Sequence, residues 1–197
     1  MKLAALLAAL LLIGLIYLNS NLNPSHQGTP LKVPDLSQVD LNHAPLKTFS
    51  IADLNPDWTT PLGNQATGQN FPGQLMLLNF WAHWCWPCLV ELPRLNQLHK
   101  ELSHQGLFIV AVNLDEDPVQ QEQAQEFWKE NNLNMASLRM TLSELEDIFP
   151  IPLSSLPFHA LVGPQGHILW SQQGALDWSH PQALRQLTEL LTKLDSF

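Results

Sequence analysis

The sequence predicts an α/β fold in which helices flank a central mixed β-sheet. Two continuous apolar runs, QLMLLNFWA at 74–82 and GLFIVAVNLD at 106–115, have the length and flanks of strands buried on both faces. A stretch with helical character follows each run. The segment FHALVGPQGHILWSQQG at 158–174 has the pattern of strand, turn and strand, so we expect a hairpin to complete the sheet.

The helices follow from the spacing of apolar residues and from the positions of prolines. Residues 88–102, CLVELPRLNQLHKEL, have apolar side chains at helical spacing, and Pro93 inside this run predicts a kink. Residues 118–132 predict a second helix that begins at Pro118, because proline is pre-shaped for a first helical turn. The remaining elements are a short strand in MASLRM, a short helix at 141–149 and a closing helix at 180–194.

The N-terminal segment is apolar enough to enter a membrane. Residues 3–18, LAALLAALLLIGLIYL, carry no charge and fall between the lengths of a signal peptide and a spanning helix. We expect 1–20 to be an uncleaved anchor, because Leu18 makes a poor cleavage site; a cleaved signal peptide and a buried helix are the alternatives. Lys2 favours a cytoplasmic N-terminus, so the rest of the chain should face an oxidising compartment such as a periplasm.

Composition and turn formers divide the remainder of the chain. Residues 21–45 are polar and broken by prolines, which predicts a linker. One domain should then run over 46–197, opening with a strand at 46–54 and a turn-rich loop or short hairpin at 55–73. The 197-residue chain has a formal net charge of −9 and no cluster of Lys and Arg, so we expect no nucleic-acid partner.

The only two cysteines lie in NFWAHWCWPCLVELP, residues 79–93, between a buried strand and a helix. The first turn of a helix stabilises an anion, so we expect a lowered pKa and nucleophilic reactivity for the Cys85 thiol. Cys88 lies one turn further on and can close a ring with Cys85, while Pro87 stiffens the loop between them. This spacing predicts a reversible dithiol switch in which Cys85 attacks a disulfide and Cys88 resolves the product.

Other interpretations of the cysteine pair remain open at this point. A purely structural disulfide is disfavoured, because so small a ring removes little chain entropy. The pattern C-x2-C-x10-H-x4-H through His99 and His104 resembles a zinc finger, but one helix would separate Cys88 from His99 by about 16 Å. The remaining alternatives are a soft-metal protein that binds Cu(I) through both thiolates and a non-catalytic binding module with an inert disulfide.

The active-site segment resembles that of thioredoxin-fold proteins, especially the membrane-anchored TlpA/ResA/DsbE group. The resemblance includes the strand that ends in NFWA, Trp84 before the first Cys, Pro87 before the second and Pro93 five residues beyond it. The segment SSLPFHALVGPQGHILWSQQG resembles the closing hairpin of that family. The resemblance covers about 46–194 and implies a thioredoxin fold with an N-terminal extension and an inserted strand and helix near 114–150.

The resemblance implies a role for each residue that matches the family motif. Pro157 would be a cis-proline that presents its backbone to a partner chain, and the apolar Leu156 would leave that contact to the backbone. Glu91 matches an acidic residue that tunes the thiols in ResA-like members; its alternative is an exposed helix glutamate. Trp86 is bulky for the inner dipeptide, so we expect it to dock a partner together with Trp84, or simply to cover the disulfide.

The function implied by the resemblance is that of a membrane-tethered thiol–disulfide oxidoreductase acting outside the cytoplasm. It should reduce exported cysteine-containing proteins, apocytochrome c being one candidate, and be recharged by a membrane electron donor without any metal or organic cofactor. The pattern departs from DsbE, whose Pro-Thr dipeptide is absent, and Asn79 stands where cytosolic thioredoxins have a buried Asp. We expect no metal partner for His159 or His167, an ordinary loop histidine at His83, and packing roles for the remaining tryptophans, Trp58, Trp128, Trp170 and Trp178.

Overall fold

A five-stranded mixed sheet organises the part of the chain that the computed structural model describes, residues 31–41, 75–148 and 155–194. Its strands are β1 (Leu75–Trp81), β2 (Leu107–Asn113), β3 (Ala136–Arg139), β4 (Phe158–Val162) and β5 (Ile168–Gln173). The order across the sheet is β3-β2-β1-β4-β5. The first three strands run parallel, whereas β4 and β5 are antiparallel to their neighbours. The central strand β1 therefore has partners on both edges and is buried along its whole length.

Four α-helices accompany the sheet in the described residues: α1 (Trp86–Leu102), α2 (Pro118–Glu130), α3 (Leu142–Ile148) and α4 (Pro181–Leu194). Helix α2 begins where Asp117 accepts hydrogen bonds from the backbone N–H groups of Val119 and Gln120. A carboxylate in this position satisfies amides that have no partner within the helix. Helix α1 contains Pro93, which the sequence placed inside it.

Apolar side chains form a separate core on each face of the sheet. Leu77 and Trp81 of β1 belong to the core that includes side chains of α1, α2 and α4. Met76 and Phe80, which alternate with them, belong to the core that includes side chains of β3 and α3. Because successive side chains of a strand point to opposite faces, one apolar run supplies both cores.

The predicted order of strands and helices from residue 75 onward is confirmed. The two buried strands, the hairpin, the inserted elements between β2 and β4 and the closing helix all form within a few residues of their predicted bounds. The anchor at 1–20, the strand at 46–54 and the loop at 55–73 lie outside the described residues, as does Trp58. Of the helices in the described ranges, none combines the length and apolarity needed to cross a membrane.

Part of the segment assigned from the sequence to a linker packs against the folded domain. Lys32 forms a parallel β-bridge with Leu176, and the backbone N–H of Asp177 donates to the Lys32 carbonyl at 2.9 Å. The side chain of Leu36 is buried, and its N–H donates to the side-chain oxygen of Gln186 in α4. These contacts place Lys32 and Leu36 in the same compact unit as the sheet.

Candidate active site

A disulfide between Cys85 and Cys88 lies where β1 gives way to α1. The two Cα atoms are 5.3 Å apart. Cys85 is the N-cap residue of α1, and its carbonyl accepts hydrogen bonds from the N–H groups of Cys88 at 3.0 Å and Leu89 at 3.2 Å. The pair therefore occupies the helix start that the sequence predicts.

The electrostatic field at this helix start favours an anion. The first turn of α1 carries no acidic side chain, while His99 and Lys100 lie in the last turn. Aligned peptide dipoles leave partial positive charge at the N-terminus of a helix, and nothing acidic in that turn offsets it here. A thiolate formed on Cys85 by opening the disulfide would be stabilised by this charge.

The two sulfur-bearing side chains differ in their access to solvent. Cys85 retains 5% of its accessible surface, whereas Cys88 retains none. The exposed side chains beside them are aromatic: Trp84 is 62% exposed and Trp86 is 71% exposed, and Pro87 is exposed as well. A partner molecule can thus approach the pair from the side of Cys85, over an apolar surface.

Leu156 and Pro157 directly precede β4, the antiparallel neighbour of β1. Phe158 pairs with Phe80, so Pro157 lies at the end of β1 that leads to Cys85. The peptide bond between Leu156 and Pro157 is cis, as the resemblance implies. Pro157 is buried and Leu156 is partly buried, and the Pro157 carbonyl accepts a hydrogen bond of 2.8 Å from the Gly174 N–H.

Asp115 lies just beyond the carboxyl end of β2 and forms a hydrogen bond with the backbone of the loop in front of Cys85. Its fully buried carboxylate accepts hydrogen bonds from the His83 backbone N–H at 2.8 Å and from the Asn113 side-chain amide at 2.7 Å. The N–H of Leu114 also donates to the carbonyl of Trp81 at 2.9 Å. The sequence analysis missed Asp115, because its acceptor role depends on two strand ends that meet only in the folded sheet.

Glu91 lies one turn beyond Cys88 and is completely buried. The alternative interpretation of Glu91, as an exposed glutamate on the helix surface, is therefore wrong. Its Oε1 accepts a hydrogen bond of 3.0 Å from the Leu176 backbone N–H. The same oxygen lies 2.8 Å from Nε2 of His159, another side chain with no exposed surface. The two atoms are within ion-pair distance but form no hydrogen bond of good geometry, so the contact is electrostatic.

His159 extends this polar cluster into β4; the sequence indicated only that it has no partner at metal-ligand spacing. Its Nδ1 lies 3.4 Å from the Gln172 carbonyl of β5, and its ring centroid lies 5.4 Å from that of Trp178. Asn79 is its register partner on β1, with a buried side-chain amide that makes no hydrogen bond within the described part of the chain. One sequence signal was available, namely a histidine inside the apolar strand FHALV, directly opposite Asn79 once the hairpin pairs with β1.

The other aromatic residues near the site are structural. Trp81 stacks on Trp128 with ring centroids 6.2 Å apart, and Trp170 meets Trp178 edge-on at 6.1 Å. These contacts confirm the packing roles predicted for Trp128, Trp170 and Trp178. Within the described ranges, the His, Cys, Asp and Glu residues form no group of three that could hold a metal ion.

Comparison with known protein families gives one clear match. A model of the AhpC/TSA family matches residues 44–171, which is more than half of the chain. The chain therefore belongs to the AhpC/TSA family. The matched region includes the Cys85–Cys88 disulfide, Glu91 and most of the β4–β5 hairpin.

Individual proteins similar to this chain include thiol–disulfide oxidoreductases. The thiol-disulfide oxidoreductase ResA of Oceanobacillus iheyensis is 30% identical over 136 residues, which are 66% of this chain and 68% of that protein. ResA of Bacillus subtilis is 30% identical over 107 residues, which are 54% of this chain and 57% of that protein. The crystal structure of StoA from Bacillus subtilis has a TM-score of 0.54 and 26% identity, covering 68% of this chain and 93% of StoA.

These similarities agree with the geometry of the AhpC/TSA member described here. The mixed sheet with flanking helices is a thioredoxin fold. The paired cysteines lie at the start of its first helix after β1. Taken with the named relatives, these features identify the chain as a thiol–disulfide oxidoreductase.

Proposed function

We propose that this chain is a reductant of exported cysteine-containing proteins, with its catalytic domain outside the cytoplasm. Residues 1–20 anchor it in the inner membrane, and a membrane electron donor returns electrons to the disulfide. The resemblance of the segment 79–93 to the TlpA/ResA/DsbE group implies this direction of electron flow, and apocytochrome c is one candidate substrate. The apolar run at 3–18 and the single lysine in front of it support the location.

The proposed reaction has two thiol–disulfide exchange steps. In the reduced protein, the Cys85 thiolate attacks a disulfide sulfur of the substrate, forming a mixed disulfide and releasing the other substrate sulfur as a thiolate. Cys88 then attacks Sγ of Cys85 and expels the second substrate sulfur. The substrate gains two electrons and two protons, and the Cys85–Cys88 disulfide is restored. Glu91 serves as the internal group that exchanges a proton with Cys88.

The observation that carries this proposal is the asymmetry of the two cysteines. Cys85 is the helix N-cap residue and keeps some exposure, whereas Cys88 has none. An attacking sulfur has to be reachable by a large partner and stabilised as an anion. A resolving sulfur has to reach only Cys85, with which it already shares a bond in the oxidised protein.

The surface around Cys85 supports docking of a protein rather than of a small molecule. Trp84 and Trp86 expose their aromatic rings on either side of the cysteine, next to the exposed Pro87. Aromatic residues are frequent among those that dominate binding energy at protein interfaces. Leu156 and Pro157 lie at the same end of the sheet, where the backbone before β4 can pair with an extended substrate segment.

The midpoint potential of the Cys85/Cys88 couple tests the direction of electron flow. We expect a value near about −270 mV, where thioredoxin lies, rather than near about −120 mV, where the oxidant DsbA lies. The value is obtained by equilibrating the protein with dithiothreitol buffers and counting free thiols by alkylation. An oxidising value would overturn the proposed direction while leaving the exchange chemistry in place.

Trapping tests the assignment of the two cysteine roles. A Cys88→Ser variant should accumulate a mixed disulfide between Cys85 and a model protein substrate that contains a disulfide, because no thiol remains to resolve it. A Cys85→Ser variant is the matched control and should form no such adduct, since Cys88 is fully buried. Cysteines in the unmodified reduced protein that resist alkylation would instead favour a binding module with an inert disulfide.

A further inference from the structure

His159 is a buried titratable residue for which the exchange mechanism provides no role. Its side chain has no exposed surface, and its two ring nitrogens each face an oxygen, Oε1 of Glu91 at 2.8 Å and the Gln172 carbonyl at 3.4 Å. The second carboxylate oxygen of Glu91 is buried and has no hydrogen-bond partner among the described residues. The interior of the domain therefore contains an acid and a base in contact, with one carboxylate oxygen still free to accept a proton.

A lone carboxylate at this depth would be costly. A buried charge without a partner of opposite charge is strongly destabilising unless it is neutralised. Glu91 has one backbone N–H as donor, from Leu176, and one titratable neighbour, His159. A proton received from Cys88 makes the pair neutral overall, because it either stays on the carboxyl or forms an imidazolium that balances the carboxylate.

We propose that His159 is a positioning residue that holds Glu91 as the proton acceptor for Cys88, an inference that rests on the proposed function. Cys88 and Glu91 are three positions apart on α1, so their Cβ atoms lie roughly 5–6 Å apart on one face of the helix. His159 lies beyond Glu91, on β4. The three side chains thus form a path inward from the buried sulfur to the imidazole.

The proposed step balances in protons and electrons. As the Cys88 sulfur forms its bond with Sγ of Cys85, the Cys88 proton moves to the Glu91–His159 pair. The bond between Cys85 and the substrate sulfur breaks, and its electron pair leaves on the substrate, which takes a proton from solvent. The pair later returns its extra proton to solvent, so the exchange as a whole changes only the disulfide and the substrate.

The surroundings of His159 contain few other groups that could take this proton. From β1 it faces the uncharged Asn79, and from β5 the Gln172 carbonyl. From the segment before α4 it faces the Trp178 ring, while the neighbouring Asp177 carboxylate lies 3.7 Å from Arg94 at the partly exposed surface. Among the described residues that these contacts place around the ring, Glu91 is therefore the group that could exchange a proton with it.

The test separates the two sulfur steps in a single reaction. Reduced protein mixed with 5,5'-dithiobis(2-nitrobenzoate) releases one coloured thiolate when Cys85 forms a mixed disulfide, and a second when Cys88 displaces it. In His159→Gln, whose amide cannot take up a proton, we expect the first phase to stay within about twofold and the second to slow about tenfold or more. The matched control is His167→Gln, the same change in the same hairpin but outside the Glu91 contact.

A double-mutant cycle tests whether His159 acts through Glu91. Glu91→Gln alone should slow the second phase, and adding His159→Gln to it should slow that phase no further. Thermal unfolding of each variant reports whether it folds, and His159→Asn offers a smaller replacement if the glutamine is not accommodated. The unmodified protein supplies an independent measurement, because its second phase should slow in D2O while its first phase does not.

Each outcome has a definite meaning. If the second phase is unchanged in folded His159→Gln, His159 does not have the proposed role. The same conclusion follows if His159→Gln slows the second phase by the same factor in the Glu91→Gln background as in the unmodified protein. A second phase without a solvent isotope effect overturns the proton transfer itself. Failure of the exchange function is distinguishable from both, since Cys85 would then give no first phase even in the unmodified protein.

Discussion

Nε2 of His159 in β4 lies 2.8 Å from Oε1 of Glu91 in α1, and neither side chain has any exposed surface. The same carboxylate oxygen accepts a hydrogen bond from the Leu176 N–H, in the segment between β5 and α4. Glu91 thus joins three parts of the chain that are distant in sequence. Because Cys88 is one helical turn away, this junction lies next to the buried half of the redox pair.

The first prediction concerns the stability of the oxidised protein. We expect Glu91→Ala to lower the free energy of unfolding by about 2–4 kcal/mol, because it leaves the Leu176 N–H without its acceptor and removes the carboxylate beside the buried His159 ring. Glu91→Gln keeps a carbonyl oxygen in that place and should lower it by about half as much. Urea denaturation monitored by tryptophan fluorescence measures both changes.

Glu101→Ala is the matched control for the loss of a helix carboxylate. Glu101 is an exposed residue of the same helix, with a side-chain hydrogen bond from Gln97. We expect its removal to change the free energy of unfolding by less than about 0.5 kcal/mol. A comparable loss for Glu101→Ala and Glu91→Ala would mean that helix propensity, and not the buried junction, accounts for the effect.

The second prediction concerns the loop in front of Cys85. Asp115→Ala removes the acceptor for the partly buried His83 N–H and for the buried Asn113 side chain. We expect the free energy of unfolding to fall by about 2–4 kcal/mol, since each unsatisfied buried donor costs about 1–3 kcal/mol. Amide hydrogen exchange over residues 82–86 should become at least about tenfold faster.

Asp117→Ala provides the comparison, two residues further along the same segment. Asp117 is exposed and caps α2, so its loss should cost about 1 kcal/mol. Exchange near the cysteines should be unaffected, because Asp117 bonds only to the first turn of α2 in the hydrogen bonds described. Equal acceleration near Cys85 in both variants would show that Asp115 does not act on that loop specifically.

The third prediction concerns recognition of a protein substrate. Trp86 is 71% exposed, so Trp86→Ala should change the free energy of unfolding by less than about 0.5 kcal/mol. If the indole docks a partner, the same change should raise the KM for a disulfide-containing protein substrate by about 5–30-fold, equivalent to about 1–2 kcal/mol of binding. Turnover of hydroxyethyl disulfide should be unchanged, because so small a substrate needs no docking surface.

Val119→Ala is the control for removing an exposed apolar side chain elsewhere. Val119 is 62% exposed near the start of α2. Its replacement should leave the KM for both substrates unchanged. If Trp86→Ala reduces the protein substrate normally, the docking role is contradicted, and the indole of the unmodified protein only covers the disulfide.

The fourth prediction concerns the pH dependence of stability. Partial burial lowers the pKa of His99 below its ordinary value, and the neighbouring charge of Lys100 lowers it further. The native state therefore binds a proton at His99 less readily than the unfolded chain does, so this residue makes stability fall as the pH drops below about 6.5. Above that pH the histidine is neutral in both states and contributes no slope.

Urea denaturation between pH 7.5 and 5 measures this contribution as a difference between proteins. Relative to the unmodified protein, His99→Gln should become progressively more stable as the pH falls, because it removes a group whose protonation favours the unfolded chain. His104→Gln, in the exposed turn after α1, controls for the loss of one imidazole. A stability difference between His99→Gln and the unmodified protein that is constant over this range would contradict the prediction.

Much of the architecture could be predicted from local pattern. The apolar run that forms β1, the prolines at the starts of α1 and α2, and the GPQG turn between β4 and β5 are features of adjacent residues. The spacing of Cys85 and Cys88 at a strand-to-helix junction likewise needed no tertiary information. Local steric preferences and side-chain periodicity are sufficient at this level, because they act over a few residues.

The interior of the site could not be predicted in the same way. Nothing in the helical pattern of 88–102 indicated whether Glu91 faced water, and nothing in the hairpin paired His159 with it. The role of Asp115 could not be predicted either, since it accepts its hydrogen bonds only when the ends of β1 and β2 lie side by side. In each case the decisive contact joins residues that are far apart in the chain.

The sequence by itself determined the order of the elements, the position of the cysteine pair at the start of a helix and, through the family motif, the exchange chemistry. Only the tertiary structure decided which polar side chains are buried against that pair. The reason is physical: a charged side chain can be buried only where the fold brings it a partner. The register of β4 on β1 and the packing of α1 across them supply that partner for Glu91.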